Sequence, residues 1–345
     1  MNLEMPIGIS IVICCYNSAD RVPETLKCLA QQVAASAIEW EIIVVDNAST
    51  DKTGEIAQNC CPEVIRSRLQ VVREPAAGLS HARIRGFRSA RYSIISFIDD
   101  DNWVPPEWLA TLVQIFSSDP EIGVVGGPSE AVFELPAPPW FSEIQGFYAV
   151  GPQHRSTGDV TEATGTILWG AGMSIRKAAL DALWDQGFQF LSTGRKGAQL
   201  LAGEDIEMGF ALRALGWRFY YDERLRLRHY IPAGRLTWNY ALKLMKGMGM
   251  TSVYLNIYCS ALGLPPFDNQ PAYKRSWVFQ FLKSVKNFVL QFLCHPVSSL
   301  TQPAGDRNGL DFVRSLGTVL QLIALRKDYK STILKIKSAR WNPTQ

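Results

Sequence analysis

Short apolar runs alternate along the first hundred residues with stretches in which apolar positions recur every three or four residues. Residues 9–14 predict a buried strand, and Val22, Leu26 and Leu29 mark one face of a helix over about 20–32. A second strand is predicted at 42–45 and a third at 69–72, with a helix between them at 52–58, opened by the cap signal of Ser49, Thr50 and Asp51. A helix at 79–90 and a fourth strand at 93–98 follow. Uninterrupted apolar strands separated by amphipathic helices predict an α/β fold, a mostly parallel sheet with helices on both faces.

After residue 235 the pattern turns wholly helical. Trp277, Val278, Phe281, Leu282, Val285, Phe288, Val289, Phe292 and Leu293 share one broad face, opposite Lys283, Lys286, Asn287 and Gln291. Phe312, Leu316, Val319, Leu320 and Ile323 form a second such face, before a tail in which Arg326, Lys327, Lys330, Lys335, Lys337 and Arg340 stand against Asp328. Internal charges and modest length argue against a membrane span. Two readings stay open: helices lying on the inner membrane surface, or helices docked on the rest of the protein.

Composition narrows the class. With 345 residues, 47% of them apolar and 19% charged, the chain can bury a substantial core. A net charge of +3 is too small to argue for nucleic acid as a partner. Seven cysteines, including the neighbours Cys14 and Cys15 and the neighbours Cys60 and Cys61, fit neither a disulfide framework nor a zinc spacing. No basic leader precedes the first apolar run, so the expected home is the cytoplasm.

The candidate chemistry sits where predicted strands end. Asp99, Asp100 and Asp101 follow the fourth strand, and Asp46 follows the second. Adjacent carboxylates repel unless a cation lies among them, which makes the triplet a candidate metal seat; Asn102, Pro105 and Pro106 equally suit an ordinary turn. In open α/β sheets ligands bind at the carboxyl ends of strands, so Asp46 and the triplet can line one crevice. A further segment, from Gly203 to Gly216, reads as a helix with Glu204 and Asp205 in its first turn, where the helix dipole favours an ionised carboxylate suited to general-base work; simple capping is the competing reading.

The ordered series Ile11-Val-Ile-Cys-Cys-Tyr-Asn17, Val44-Val-Asp-Asn-Ala-Ser-Thr-Asp51, Gly78-Leu-Ser-His-Ala-Arg83, Phe97-Ile-Asp-Asp-Asp101, Gly170-Ala-Gly-Met173 and Gly203-Glu-Asp205 resembles family 2 glycosyltransferases of the GT-A fold, over roughly residues 7–235. The resemblance implies a Rossmann-like domain at 1–235, with a donor half to about 128 and an acceptor half over 129–235, followed by a helical region at 236–345. It implies that Tyr16, Asn17, Asp46, Asn47 and Arg83 handle a nucleotide-diphospho-sugar donor, a UDP-sugar first among the candidates. Asp99 and Asp100 would reach ribose or sugar, and Asp101 with Asp99 would bind Mn2+ or Mg2+. Asp205 would be the base of an inverting transfer, and Trp169, Gly172, Met173 and Glu204 would line the acceptor, a glycan or lipid-linked hydroxyl.

Several positions depart from the family pattern or stay undecided. Cys14 and Cys15 replace the more usual Pro or Thr, and Ile84 stands where relatives often have Asn, which weakens any donor contact built on Arg83 and Arg85. Asp100 is an alternative metal ligand within the triplet. His229 reads either as a further ligand or as a buried structural residue. Trp140, Phe141 and Phe147, beside Pro136 to Pro139, read as packing ahead of sugar stacking. The expected activity is that of a metal-dependent inverting glycosyltransferase acting on an envelope or exopolysaccharide glycan. A nucleotidyltransferase is the runner-up, although Cys14 to Ala19 is neither Gly-rich nor basic, and a noncatalytic sugar-nucleotide binding protein is the third reading.

Overall fold

A computed structural model describes residues 7–33, 36–163, 168–191, 200 and 203–342. Its strands are β1 Ile9–Cys15, β2 Trp40–Asn47, β3 Leu69–Glu74, β4 Ile94–Asp99, β5 Asn102–Trp103, β6 Ile122–Gly126, β7 Ser129–Phe133, β8 Gly158–Asp159, β9 Ser174–Arg176, β10 Arg218–Tyr221 and β11 Leu227–Ile231. Eight of them form one sheet in the order β3-β2-β1-β4-β9-β6-β10-β8, and a small sheet runs β5-β11-β7. The pairs β3/β2, β2/β1, β1/β4 and β6/β10 are parallel. β9 runs antiparallel to both β4 and β6.

The four strands and three helices predicted for the first hundred residues are present, with helices at Val22–Leu29, Thr53–Asn59 and Leu79–Ser89. The apolar runs of β1, β2 and β4 are buried on both faces, with Ile9, Ile11, Val12, Ile13, Ile42, Ile43, Val44 and Val45 closed to solvent, whereas the edge strand β3 is largely half-exposed. Burial of such β-branched side chains, at about 25 cal/mol per Å² of apolar surface, is what holds the sheet. Period-based reading did not predict the reversed strand β9 or the three-stranded sheet, whose two- to five-residue strands are too short to show a period.

The chain divides into two compact units: 1–132 with 149–185 and 216–231, and 133–148 with 186–215 and 232–345. The stretch 1–235 read as one domain thus contributes to both. In the second unit the helices Trp238–Leu262 and Arg307–Ala324 pack closely, since a Cβ at Gly249 or Gly317 would overlap a backbone carbonyl of the facing helix, Arg314 or Lys246. Phe133, Trp140, Phe141, Tyr148 and Trp238 pack ring on ring, with Phe141 at 4.8 Å from Tyr148 and Trp140 at 5.4 Å from Trp238. This is the packing reading of the aromatic segment. Among the described residues no helix is long and apolar enough to cross a membrane.

Candidate active site

The parallel register sets the rim of the first unit. Cys15 on β1 lies opposite Asp46 on β2, and Cys14 lies opposite Asp99 on β4, so both carboxylates stand at the carboxyl ends of strands flanking β1. Both are partly exposed there. The loop after β1 is fixed to the loop after β2: Asn17, in the left-handed region at φ 49°, donates its N–H to Ser49 Oγ at 3.1 Å, and its Oδ1 accepts from the Thr50 N–H at 2.8 Å. Tyr16 at the tip is 44% exposed. Burial pushes the Cys15 thiol well above its ordinary pKa, with Asp100 adding to it, so Cys15 is a packing residue and not a nucleophile.

The middle aspartate serves the fold. Asp100, 7% exposed, turns its carboxylate toward β1 and the helix that follows it, where Ser18 Oγ donates to Oδ2. Arg21 donates to Oδ2 at 3.0 Å and to Oδ1 at 3.4 Å. Thr25 Oγ1 donates to the Asp100 carbonyl at 2.8 Å, and Arg21 Nη2 also reaches the carbonyl of Asn17 at 3.1 Å. These bonds engage the Asp100 carboxylate, for which a donor or metal contact was expected. Burial, then the neighbouring Asp101, push its carboxyl up to about 6 against the pull of Arg21. Ser18, Arg21 and Thr25 were missed by sequence reasoning; the signal available was the repulsion inside the triplet, which demanded a cation nearby.

Asp101 and His229 are brought together by the small sheet. β11 pairs antiparallel with β5, placing His229 opposite Asn102 and Arg228 opposite Trp103, and the Tyr230 N–H donates to the Asp101 carbonyl at 2.8 Å. The His229 Nε2 then lies 3.5 Å from Asp101 Oδ1, with both side chains buried. Asn102 closes the turn: its Oδ1 accepts from the Asp99 N–H and its Nδ2 donates to Asp101 Oδ1, each at 3.3 Å. A carboxylate oxygen beside an imidazole nitrogen is a donor set that fits Mn2+. Among the described residues no group of three or more His, Cys, Asp or Glu side chains is gathered to hold an ion; of the expected ligand set, Asp101 and His229 are the two brought together. An ion here would draw its other ligands from a diphosphate or water.

Other expected contacts sort differently. The Asn47 side chain braces the loop after β3, donating to the carbonyls of Glu74 at 3.2 Å and Ala76 at 2.7 Å and accepting from the Gly78 N–H at 2.9 Å. Arg83 is buried, with its guanidinium 5.6 Å over the Phe97 ring and in the space a Cβ at Gly170 would take. Gly172 has φ +78°, and a Cβ there would sit 2.5 Å from Leu227 Cδ2. Its N–H donates to the Phe97 carbonyl at 3.0 Å, while the Phe97 N–H donates to the Met173 carbonyl at 2.8 Å. Met173, expected on the acceptor side, is 1% exposed and packs in the core. Trp169 is partly exposed, and its N–H donates to Gln153 Oε1 at 2.6 Å.

In the second unit, Glu204 and Asp205 begin the helix Glu204–Ala214 behind Gly203, whose φ of 113° favours a residue without a Cβ. Asp205 is partly exposed, and its Oδ1 accepts from the Ile206 N–H at 2.9 Å, whereas Glu204 is buried. One turn on lies Glu207, buried and unremarked in the sequence, with its Oε2 accepting from the Leu191 N–H at 2.7 Å and from the Tyr258 hydroxyl at 3.1 Å. That pairing anchors the helix start to the long helix Trp238–Leu262.

Comparison with known proteins bears on the family and the fold. The family model described as Glycosyl transferase family 2 matches residues 10–184, just over half of the chain. A glucosyl-dolichyl phosphate glucuronosyltransferase of Haloferax volcanii is 22% identical over 222 residues, which cover 64% of this chain and 68% of that protein. The chain spans only 36% and 26% of the length of two further relatives. Among solved structures, the mannosyltransferase PcManGT from Pyrobaculum calidifontis, in complex with GDP-Man and Mn2+, superposes with a TM-score of 0.55 at 16% identity, covering 93% of this chain and 88% of that one. S. aureus TarS in complex with UDP-GlcNAc gives 0.53 at 16% identity, covering 96% and 89%. The chain accordingly belongs to glycosyl transferase family 2, and it is a glycosyltransferase with the GT-A fold.

Proposed function

We propose that the protein moves a sugar from a nucleotide-diphospho-sugar, a UDP-sugar first among the candidates, to a hydroxyl of a glycan or lipid-linked acceptor, in a metal-dependent, inverting reaction in the cytoplasm. The observation that carries this reading is the buried Asp101 and His229 pair, 3.5 Å apart, beyond a strand that ends in Asp99. The pair would hold Mn2+ or Mg2+, which when bound neutralises charge developing on the leaving diphosphate. Asp46 and the Tyr16 and Asn17 loop take the nucleoside, and Asp99 takes ribose or sugar. Inversion requires a base on the sugar face away from the leaving group; Asp205, at the start of a helix anchored through Glu207, is assigned that role. Trp169, Gly172 and Glu204 are assigned to the acceptor side.

The compared proteins support these choices by what they are said to bind. PcManGT is in complex with GDP-Man and Mn2+, TarS with UDP-GlcNAc, and the Haloferax relative is named for a dolichyl phosphate-linked substrate. The test is a thermal-shift screen of nucleotide sugars with and without Mn2+, coupled to assay of released nucleoside diphosphate. A ligand at 100 times its Kd stabilises by about 2.7 kcal/mol, enough to resolve. One nucleotide family should raise the melting point only with the ion, and Asp101→Ala should abolish the shift; a shift indifferent to Mn2+, or intact in that variant, overturns the reading.

A further inference from the structure

The helix Trp277–Cys294 is apolar around more of its circumference than its neighbours cover. One flank packs inward: Phe288 stacks on Phe312 at 4.8 Å, and Trp277 Nε1 donates to the Leu322 carbonyl at 2.7 Å. About a third of a turn away, Val278, Leu282, Val289 and Leu293 form a stripe with exposures of 58, 61, 43 and 66%. The pattern continues into the next helix, Pro296–Thr301, where Val297 and Leu300 are 70 and 72% exposed. Soluble proteins rarely leave a run of large aliphatic side chains in water without a use for it.

Charge selects the occupant. From residue 269 to residue 305 there is no Asp or Glu, while Lys274, Arg275, Lys283 and Lys286 are present, the last two exposed beside the stripe. A second copy of the chain would set these cations against their own images, which disfavours a symmetric contact. A bilayer span is too long and too dry for this helix with its two lysines. An aliphatic stripe edged by lysines and free of carboxylates is instead the composition of a helix lying in the plane of a lipid interface.

We infer that the helix Trp277–Cys294, with Pro296–Thr301 after it, docks the protein on an anionic lipid surface. Val278, Leu282, Val289, Leu293, Val297 and Leu300 enter the boundary between headgroups and acyl chains, and the exposed Lys283 and Lys286 meet the headgroups. The inference stands apart from the reaction proposed above, since it needs neither donor nor acceptor.

The experiment is flotation of the full chain with phosphatidylcholine vesicles, plain or containing about one third phosphatidylglycerol. The parent should float with the anionic vesicles and far less with the plain ones. Lys283→Gln with Lys286→Gln should lower the anionic partition about thirty-fold. Leu282→Ser with Leu293→Ser should lower it about tenfold or more. Both pairs change exposed side chains, so the melting point should stay at the parent value, which separates lost docking from lost folding. A parent that stays with neither vesicle, or binding indifferent to both pairs, overturns the inference. So does a concentration-dependent dimer that Leu282→Ser dissolves, which would give the stripe to a second copy.

Discussion

Replacing Arg21 by alanine tests how the acidic turn is held. The guanidinium donates to both oxygens of Asp100, at 3.0 and 3.4 Å, and the side chains of the two residues are 19 and 11% exposed. Removing one partner of a buried ion pair costs about 3–5 kcal/mol, because the remaining charge stays desolvated. The loss depends on pH. The Asp100 carboxyl titrates at about 6 in the native state against an ordinary 3.8, so the native state holds a proton that the unfolded chain has released across that window. The stability this protonation contributes is complete below the lower value and lost as pH rises through the upper one, on the order of 3 kcal/mol in all. Without Arg21 the native carboxyl holds its proton to still higher pH, and the loss continues above 6. Urea unfolding followed by tryptophan fluorescence should therefore show a modest deficit for Arg21→Ala at pH 5 that widens toward pH 8. Arg21→Ala combined with Asp100→Asn should recover much of it, since no buried charge is left uncompensated. A deficit that is flat across pH, or under about 1 kcal/mol at pH 8 as for an exposed pair, would refute the reasoning.

Two further expectations concern the site. Asp205→Asn should retain the Mn2+-dependent thermal shift with donor while transfer falls on the order of 10²–10⁴, measured as acceptor-dependent turnover; full activity would remove Asp205 as the base. Gly172→Ala should cost about 1–3 kcal/mol in urea unfolding, from the positive φ together with the contact against Leu227, and an unchanged midpoint would refute the strain assigned to this φ.

The donor half was legible because its strands carry short apolar runs separated by helical patterns, so that each apolar run marked its own strand and each strand end marked the rim. Asp46 and Asp99 came out at that rim by register alone. What sequence reading missed depends on contacts between distant positions. Asp100 meets Ser18 and Arg21 across 82 and 79 residues, and nothing local distinguishes it from its neighbours. Glu207 reads as one more acid in a helix start, and only Tyr258, 51 residues on, shows it to be an anchor. Met173 lay in a glycine-rich segment that suggests a ligand-facing loop, whereas the reversed strand beginning at Ser174 carries its side chain into the core. The C-terminal amphipathic face was predicted as a whole; that neighbours cover just one flank of it could not be read from spacing.

Along β11 burial alternates, with Leu227, His229 and Ile231 turned inward and Arg228 and Tyr230 outward. The meeting of imidazole and carboxylate is thus a matter of parity: two main chains must stay in step, and side-chain adjustment cannot make up for a miscount. One residue inserted in the bend between Asp222 and Leu227 that shifted the strand would present an arginine or a tyrosine where the imidazole belongs and would turn Leu227 and Ile231 out of the interior with it. Length variation in this bend is therefore far less tolerable than substitution, and homologous enzymes that change it must either restore the count or recruit another group.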